Sequence, residues 1–585
     1  MEKIRPMLFT TLKKYSGAQL MSDVVAGIIV AIIALPLSIA LALASGVGPE
    51  QGIYTAIAAG FVISFLGGSQ VQIAGPTAAF ATIVAGIVAK SGVEGLAVAT
   101  IMAGIILVIM GFCHFGSLIK FIPFTITTGF TSGIAVTIVI GQLKDFFGVT
   151  YPAGMETIET MQKLKAFAAG FGSVNLNAII VGVVCLAILI VMPMITEKIP
   201  GSLVAVIAGI LMVKFLPLHV NTIGDLYTVS NKLPAFRLPV FSYDVIQGSL
   251  SDAFTIAVLA AIESLLSCVV ADGMIGGKHR SNTELVAQGA GNIISALFGG
   301  IPATGAIART AANVKNGGRT PVAGMVHAVV LLLILVVLMP CASWIPMPTI
   351  AAILFMVAYN MCQWRTFVRL TKTAPKSDIA VLVLTFFLTV IFDLVVAIEI
   401  GMLLSCLLFM KRMSDETGVR SWLYVEEVEE QKRKEQEVRK AKKAEKELSV
   451  EEAQLLAAAA EDEEAAMKEQ ARLREIPREL AVYEITGPLF FGAADRINQI
   501  ETREETKCLV LRMRAVPAVD STAMNSMLAL YERCQKNGVT LILSHVNEQP
   551  MHVMEKAGFV DMVGRDHFCS NIEAALDHAD EVLGK

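Results

Sequence analysis

The chemistry open to this sequence is concentrated in a few polar residues set inside long apolar runs. Glu263 stands about half-way along Thr255–Val270, and Ser264 and Ser267 add hydroxyls to the same stretch. A charge at the centre of a bilayer costs at least about 2.5 kcal/mol, so an ionisable side chain there is functional by default or else tightly paired. Loss of water disfavours the charged form of any carboxyl group, which suits Glu263 to taking up and releasing a proton. The alternative is a carboxylate bonded to backbone or serine for helix packing.

Arg309 lies in a second polar stretch, Ala303-Thr304-Gly305-Ala306-Ile307-Ala308-Arg309-Thr310. A guanidinium here can hold an anion or pair with Glu263. A helix beginning near Thr304 adds free N–H groups and the positive end of its dipole, both of which favour an anion. The segment Gly75-Pro76-Thr77-Ala78 offers the same features earlier in the chain. Thr77, Ala78, Thr304 and Arg309 are thus anion-binding candidates, against a purely structural charge pair.

The elements that position these residues follow from hydropathy. The 585 residues are 55% hydrophobic and 17% charged, with a mean hydropathy of +0.64, whereas soluble domains carry about 25% charge. A bilayer core of about 30 Å needs about 20 apolar helical residues. Fourteen candidate spans fall near 22–45, 50–67, 71–89, 94–113, 125–143, 176–195, 201–216, 252–272, 283–299, 303–314, 322–340, 347–363, 378–393 and 395–411. The spans near 71 and 303 are short or interrupted by Gly and Pro. Lys and Arg between spans gather on the side of Lys3, Arg5, Lys13 and Lys14, which predicts cytoplasmic N- and C-termini. No small-residue cleavage site follows a short apolar core, so residues 1–20 read as a basic cytoplasmic lead-in.

The two interrupted segments also reveal a repeat. Aligning Thr77 with Thr304 gives an offset of 304 − 77 = 227, and Ala34-Leu35-Pro36 stands the same distance before Ala261-Ile262-Glu263 (263 − 36 = 227). Seven spans per half is odd, so the second half must be inverted. Broken segments in corresponding places of inverted halves point to a transport site at the midplane, although Gly and Pro also serve close helix packing.

Past residue 412 the character changes. The expected order is a transmembrane domain at 21–412, a first strand and a charged helical insertion at 413–479, and a small α/β domain at 480–585. Strands are expected at Leu480–Ile485, Cys508–Met513 and Val539–Ser544, with helices near 493–502, 521–536, 548–557 and 570–582. Ser521 and Thr522, after Val519-Asp520, can cap a helix or receive a phosphate. Asp23, Asp145, Asp272, Lys278, Arg280 and Asp393 fall at span ends and read as interfacial, while Ser281-Asn282-Thr283-Glu284 has capping-box spacing.

A net charge of −4 with no basic face argues against nucleic acid as a partner. The nine cysteines and eight histidines are scattered without metal-ligand spacing, so no metal or cofactor is expected. No catalytic constellation accompanies them, so the chain does not read as an enzyme.

At these residues the chain resembles the sulfate permease (SulP) family of anion transporters, nearly end to end. The resemblance rests on Val25-Ala26-Gly27, Ala34-Leu35-Pro36, Ala74–Phe80, Gly129–Gly133, Ala261–Leu266 with Ala271-Asp272-Gly273, Gly291-Asn292-Ile293 and Ala308–Asn313. The tail resembles a STAS domain through Thr486–Phe491 and Val519–Thr522. The family implies fourteen spans as 7+7 inverted repeats forming core and gate domains, with a cytoplasmic STAS domain and a homodimer. It places the anion between the broken third and tenth spans, on Thr77, Ala78, Gly305 and Ala306, and the coupling site on Glu263 and Ser267. It also implies the cell (inner) membrane and a cytoplasmic protein partner for the STAS domain. Leu37 stands where many relatives carry Gln or Glu. Glu263 and Ile307 depart from the pattern of sodium-coupled members and argue for protons. The expected activity is proton-coupled transport of sulfate, a dicarboxylate or bicarbonate by alternating access. The alternatives are an anion channel or exchanger, or a STAS-linked anion sensor.

Overall fold

The computed structural model describes residues 4–117, 123–152, 154–155, 157, 159–195, 200–392, 394–421 and 477–584. The chain forms two compact units, Met1–Ser405 and Cys406–Lys585. In the first, helices α1 (Gly17–Ala44), α2 (Pro49–Leu66) and α3 (Ala78–Phe112) precede α4 (Phe124–Phe147), α5 (Leu176–Ile195) and α6 (Gly201–Phe215). Then come α7 (Tyr243–Ile275), α8 (Ser281–Leu297), α9 (Ile307–Lys315), α10 (Val322–Ala342), α11 (Met347–Cys362), α12 (Trp364–Thr373), α13 (Lys376–Ile391) and α14 (Leu394–Glu416), whose residues from Cys406 on belong to the second unit. Two-residue strands β1 (Ala74–Gly75) and β2 (Thr304–Gly305) stand just before α3 and α9.

α3 bends at Gly92, whose φ of 69° is left-handed and breaks the helix into two spans. Counting it twice and setting α12 aside gives the fourteen expected segments. Among the described residues, α1, α3, α4, α5, α7 and α10 are by themselves long and apolar enough to cross a membrane, and α11 joins them when counted together with α12. Others are short or polar because protein rather than lipid surrounds them. α8 buries Thr283, Glu284, Gln288, Asn292 and Ser295, a set tolerable in hydrocarbon only when enclosed and bonded. α1–α3 and α7–α10 pack together as one layer, while α4–α6, α11 and α13 form another.

The two strands correct the register of the repeat. They are offset by 304 − 74 = 230, and the helices that follow them by 307 − 78 = 229, so the threonine match at 227 is slightly out of register. Thr77 is the N-cap position of α3, and its counterpart at the start of α9 is Ala306.

In the second unit a five-stranded sheet runs β3 (Gly418–Ser421), β4 (Leu480–Thr486), β5 (Cys508–Ala515), β6 (Thr540–Ser544), β7 (Phe568–Cys569), with only β3 antiparallel. Strand alternation sends Leu509, Leu511 and Met513 to one face, under Met524, Met527 and Leu530 of α15 (Ser521–Lys536). Cys508, Val510 and Ile542 face Ala575, Leu576 and Ala579 of α16 (Ile572–Leu583) on the other. Burial pushes the Cys508 thiol up to about 12, so it packs as a small apolar group. The helix expected near 493–502 shrinks to Asp495–Asn498. Most of the charged insertion lies outside the described residues.

Candidate anion site

β1 and β2 pair antiparallel, Ala74 with Gly305 and Gly75 with Thr304, and Ala306 N–H donates to the Ile73 carbonyl at 2.8 Å. Extended backbone at this depth is tolerable only where protein encloses it or it lines a cavity. Here both hold. Asn292 of α8 grips the approach to β2, accepting from Ala303 N–H and donating to its carbonyl, each at 2.9 Å. The Thr310 hydroxyl accepts from Ile73 N–H at 3.0 Å, and Asn313 donates to the Val71 carbonyl at 2.9 Å.

The crossing brings two helix N-termini to one cavity of about 450 Å³, lined by Thr77, Ala78 and Ala79 from α3 and by Ala306, Ile307 and Ala308 from α9. The first N–H groups of a helix lack intrahelical partners and carry its positive end. Glu263 borders the same cavity. One of its oxygens accepts from the Thr77 hydroxyl at 2.8 Å and from the Thr304 hydroxyl at 3.1 Å. The neighbouring Ser264 hydroxyl accepts from Gly305 N–H at 3.1 Å.

Arg309 is 2% exposed and donates through one nitrogen to the Ser38 hydroxyl and the Pro76 carbonyl, both at 3.2 Å. Its other terminal nitrogen has no hydrogen-bond partner. Among the described residues it forms no ion pair, so the pairing with Glu263 is not made. The N-terminal turn of α9 therefore leaves positive potential uncompensated beside the cavity, from its free amides and from Arg309. Across from these groups the wall is made by Thr127, Thr128 and Thr131 of α4, by Met356 and Asn360 of α11, and by Gln363. The three threonine hydroxyls donate to carbonyls of their own helix and face the cavity as acceptors.

The expected residues are thus sorted by place. Thr77, Ala78, Gly305, Ala306, Glu263 and Arg309 share the cavity wall. Thr304 is fully buried and reaches the cavity only through Glu263. Ser267, one turn from Glu263, is buried with its hydroxyl unpartnered and does not line the cavity. Leu37 and Ile307 do line it.

Two readings are corrected, Asp23 as an interfacial span-end residue and Glu284 as part of a capping box. Asp23 is completely buried, accepting from Tyr15, Gln19 and Thr320 side chains and from Arg319 N–H, because it fastens the turn before α10. Glu284 does not cap α8, whose N-cap position, Arg280, makes no side-chain cap. Its carboxylate instead accepts from Gly68 N–H, Ser69 N–H, Gln72 and Gln288, holding the lead into β1. In the second unit, Asp520 caps α15 through Ala523 N–H and also accepts from Phe491 N–H. Ser521 and Thr522 are left exposed in its first turn.

The sulfate permease family profile matches residues 20–385, and a STAS domain profile matches residues 470–575. The chain belongs to the sulfate permease family. It is 36% identical to the "Putative sulfate transporter YvdB" of Bacillus subtilis over 577 residues, covering 98% of this chain and 99% of that protein. It is 30% identical to the bicarbonate transporter BicA of Picosynechococcus over 575 residues, covering 96% and 94%. The solved transmembrane domain of a cyanobacterial BicA superposes with a TM-score of 0.60 at 30% identity, covering 66% of this chain and 99% of that one. The structure of SLC26A9 shares the fold, with a TM-score of 0.81 at 17% identity over 99% of this chain and 94% of that one. Homologues of this chain are thus sulfate and bicarbonate transporters, and the membrane unit is that of a multi-pass anion-transporter family.

Sequence reasoning gives no role to Ser38, Gln72, Asn292 and Asn313, which hold the crossing, or to Asn360 and Gln363, which face it. Asn292 and Asn313 are buried amides in apolar surroundings, a signal readable in principle from their place inside candidate spans.

Proposed function

We propose that this chain carries a small anion, namely sulfate, bicarbonate or a dicarboxylate, by secondary active transport coupled to protons. The observation that supports this is the double hydrogen bond from Thr77 and Thr304 to Glu263, at the point where two helix N-termini meet a cavity. While Glu263 is ionised, both hydroxyl protons are committed to it, and its charge repels an entering anion. Protonation removes that charge, frees the Thr77 hydroxyl to turn toward the cavity, and leaves the unpaired Arg309 nitrogen and the amides of Ala78 and Ile307 to set the potential. Anion and proton then favour each other's binding, a reciprocal coupling required of any symporter.

Alternating access follows if the α1–α3/α7–α10 layer moves against the wall formed by α4 and α11. We place both termini in the cytoplasm of the cell (inner) membrane, in accord with the Lys and Arg distribution, and infer a homodimer. Ser521 and Thr522, exposed beside Asp520, are assigned to a cytoplasmic partner or to phosphorylation of the STAS domain. No cofactor is invoked, and sodium is set aside in favour of protons.

The test is uptake by purified protein in liposomes with a panel of labelled sulfate, bicarbonate and succinate. An inward proton gradient should drive accumulation of one of them, with choline replacing sodium at no loss. Glu263→Gln should abolish the gradient dependence. Gradient-driven accumulation that survives this change would remove Glu263 from the coupling role, and sodium dependence would overturn proton coupling.

A further inference from the structure

α12, Trp364-Arg-Thr-Phe-Val-Arg-Leu-Thr-Lys-Thr373, belongs to none of the expected spans. At 100° per residue, Arg365, Arg369 and Lys372 fall within one arc of about 60°, Phe367 and Leu370 occupy the opposite side, and Trp364 and Val368 stand on the flank between them. Phe367 is turned into the protein, its ring centroid 5.4 Å from that of Phe386 on α13. Trp364 and Val368 are 46% and 40% exposed, and they lie between the protein-facing edge and the basic arc. The three cations are exposed and form no ion pair among the described residues. The Trp364 ring sits under the Arg365 guanidinium at 5.7 Å and donates to the Tyr359 hydroxyl at 3.4 Å.

A solvated helix needs no exposed Trp and Val beside its basic face. A helix lying in a membrane interface needs that sequence of edges: protein, acyl chain, headgroup. Trp and Tyr are the residues that settle at headgroup level. The charge left over is positive, and the complementary surface is one of anionic phospholipid headgroups.

Between α11 and α12 stands Gln363, with φ 44° and ψ 42°, at once the last cap of one helix and the first of the other. A non-glycine residue held left-handed stores strain and marks a position that the surroundings over-determine. Gln363 lines the anion cavity together with Asn360 and Met356 of α11. A single residue therefore joins the interfacial helix to the wall facing the candidate site.

We propose that Arg365, Arg369 and Lys372 bind anionic phospholipid headgroups, and that this anchorage holds the α11 wall of the cavity through Gln363. The binding half stands whether or not the transported anion has been correctly assigned. The experiment is native mass spectrometry of the full-length protein in mixed micelles containing equal phosphatidylglycerol and phosphatidylcholine. Wild type should retain phosphatidylglycerol preferentially, with the preference falling about fivefold for each cation removed by R365Q, R369Q and K372Q. High salt should erase the wild-type preference, a reading that needs no variant. Equal retention of both lipids by wild type, or an undiminished preference in the triple variant, would overturn the site. Displacement of the lipid by glycerol phosphate at like concentration would also do so, by making it a site for free phosphate. For the second half, uptake in zwitterionic liposomes should differ from uptake in liposomes containing phosphatidylglycerol for wild type but not for the triple variant. Equal lipid dependence in both would sever α12 from the gate.

Discussion

The two crossing segments, Ile73–Phe80 and Ile301–Arg309, occupy equivalent places in the repeat yet have diverged in what they contribute. The first is electrically neutral, carries Pro76 followed by a threonine at the N-cap, and leads into a long helix that bends at Gly92. The second leads into a helix of only nine residues whose third position is a buried arginine. That arginine reaches back across Gly75 to the Pro76 carbonyl, so the charge of the second segment is held by the backbone of the first. Duplication thus gives two helix dipoles aimed at one cavity, and divergence adds a fixed cation to one of them. The pair teaches that symmetry supplies the geometry of the site while asymmetry supplies its sign.

The largest expected effect comes from removing that asymmetry. Arg309→Ala deletes a charged donor and orphans the buried Ser38 hydroxyl and Pro76 carbonyl. Hydrogen bonds involving a charged group contribute about 1.5–3 kcal/mol, so anion affinity should fall roughly 10- to 150-fold. Arg309→Lys keeps the charge but loses the fork, and should recover part of this. Titration of the purified protein with the anion chosen by the uptake panel reads both. Unchanged affinity in Arg309→Ala would mean that the two dipoles suffice and that the segments are equivalent after all.

A finer contrast lies in the two glycines of the ladder. A Cβ on Gly305 would meet the Gln72 amide nitrogen at 2.0 Å, and one on Gly75 would meet the Arg309 guanidinium at 2.4 Å. Gln72 is tied to Glu284 and to Cys268, so Gly305→Ala must disturb a satisfied buried network, an overpacking cost of about 1–3 kcal/mol. Gly75→Ala instead pushes aside the arginine that binds. Gly305→Ala should therefore appear as a lower melting temperature with affinity nearly intact, and Gly75→Ala as lost affinity with a smaller loss of stability. Adding Gln72→Ala to Gly305→Ala should restore part of the melting temperature. The opposite pattern would exchange the roles given to the two strands.

These contrasts also show where the sequence was legible. The existence of both broken segments, the depth of Glu263 and the cation at Arg309 could be read directly, because charge and Gly/Pro interruption stand out against apolar runs. The strand pairing could not, since two-residue strands have no periodicity, and the threonine match misled the register by the few residues separating a strand position from a cap. Asp23 and Glu284 were read as interfacial and as a cap because spacing along the chain says nothing of partners 200 or 300 residues away. Their acceptors are satisfied by Gly68, Ser69 and Arg319, contacts that only the packed fold creates. α12 escaped notice because a ten-residue amphipathic helix is too short and too basic to register as a span.

The smallest effect concerns the two threonines that converge on Glu263. Thr77→Val and Thr304→Val each remove one donor from the same carboxylate oxygen, which makes the ionised form less favourable and the protonated form persist to higher pH. If uptake requires protonated Glu263, the alkaline limb of the uptake–pH profile should move upward in both variants. They should differ in one respect. Thr77 sits at the N-cap of α3 and borders the cavity, so its loss also removes a hydroxyl that can turn to the anion. Thr304 is enclosed between Glu263 and the Gly305 carbonyl. Thr77→Val should accordingly raise the half-saturating anion concentration as well as shift the profile, while Thr304→Val should shift the profile alone. A shift confined to Thr77→Val would place the coupling on the first segment only, and no shift in either would detach the threonine pair from proton binding.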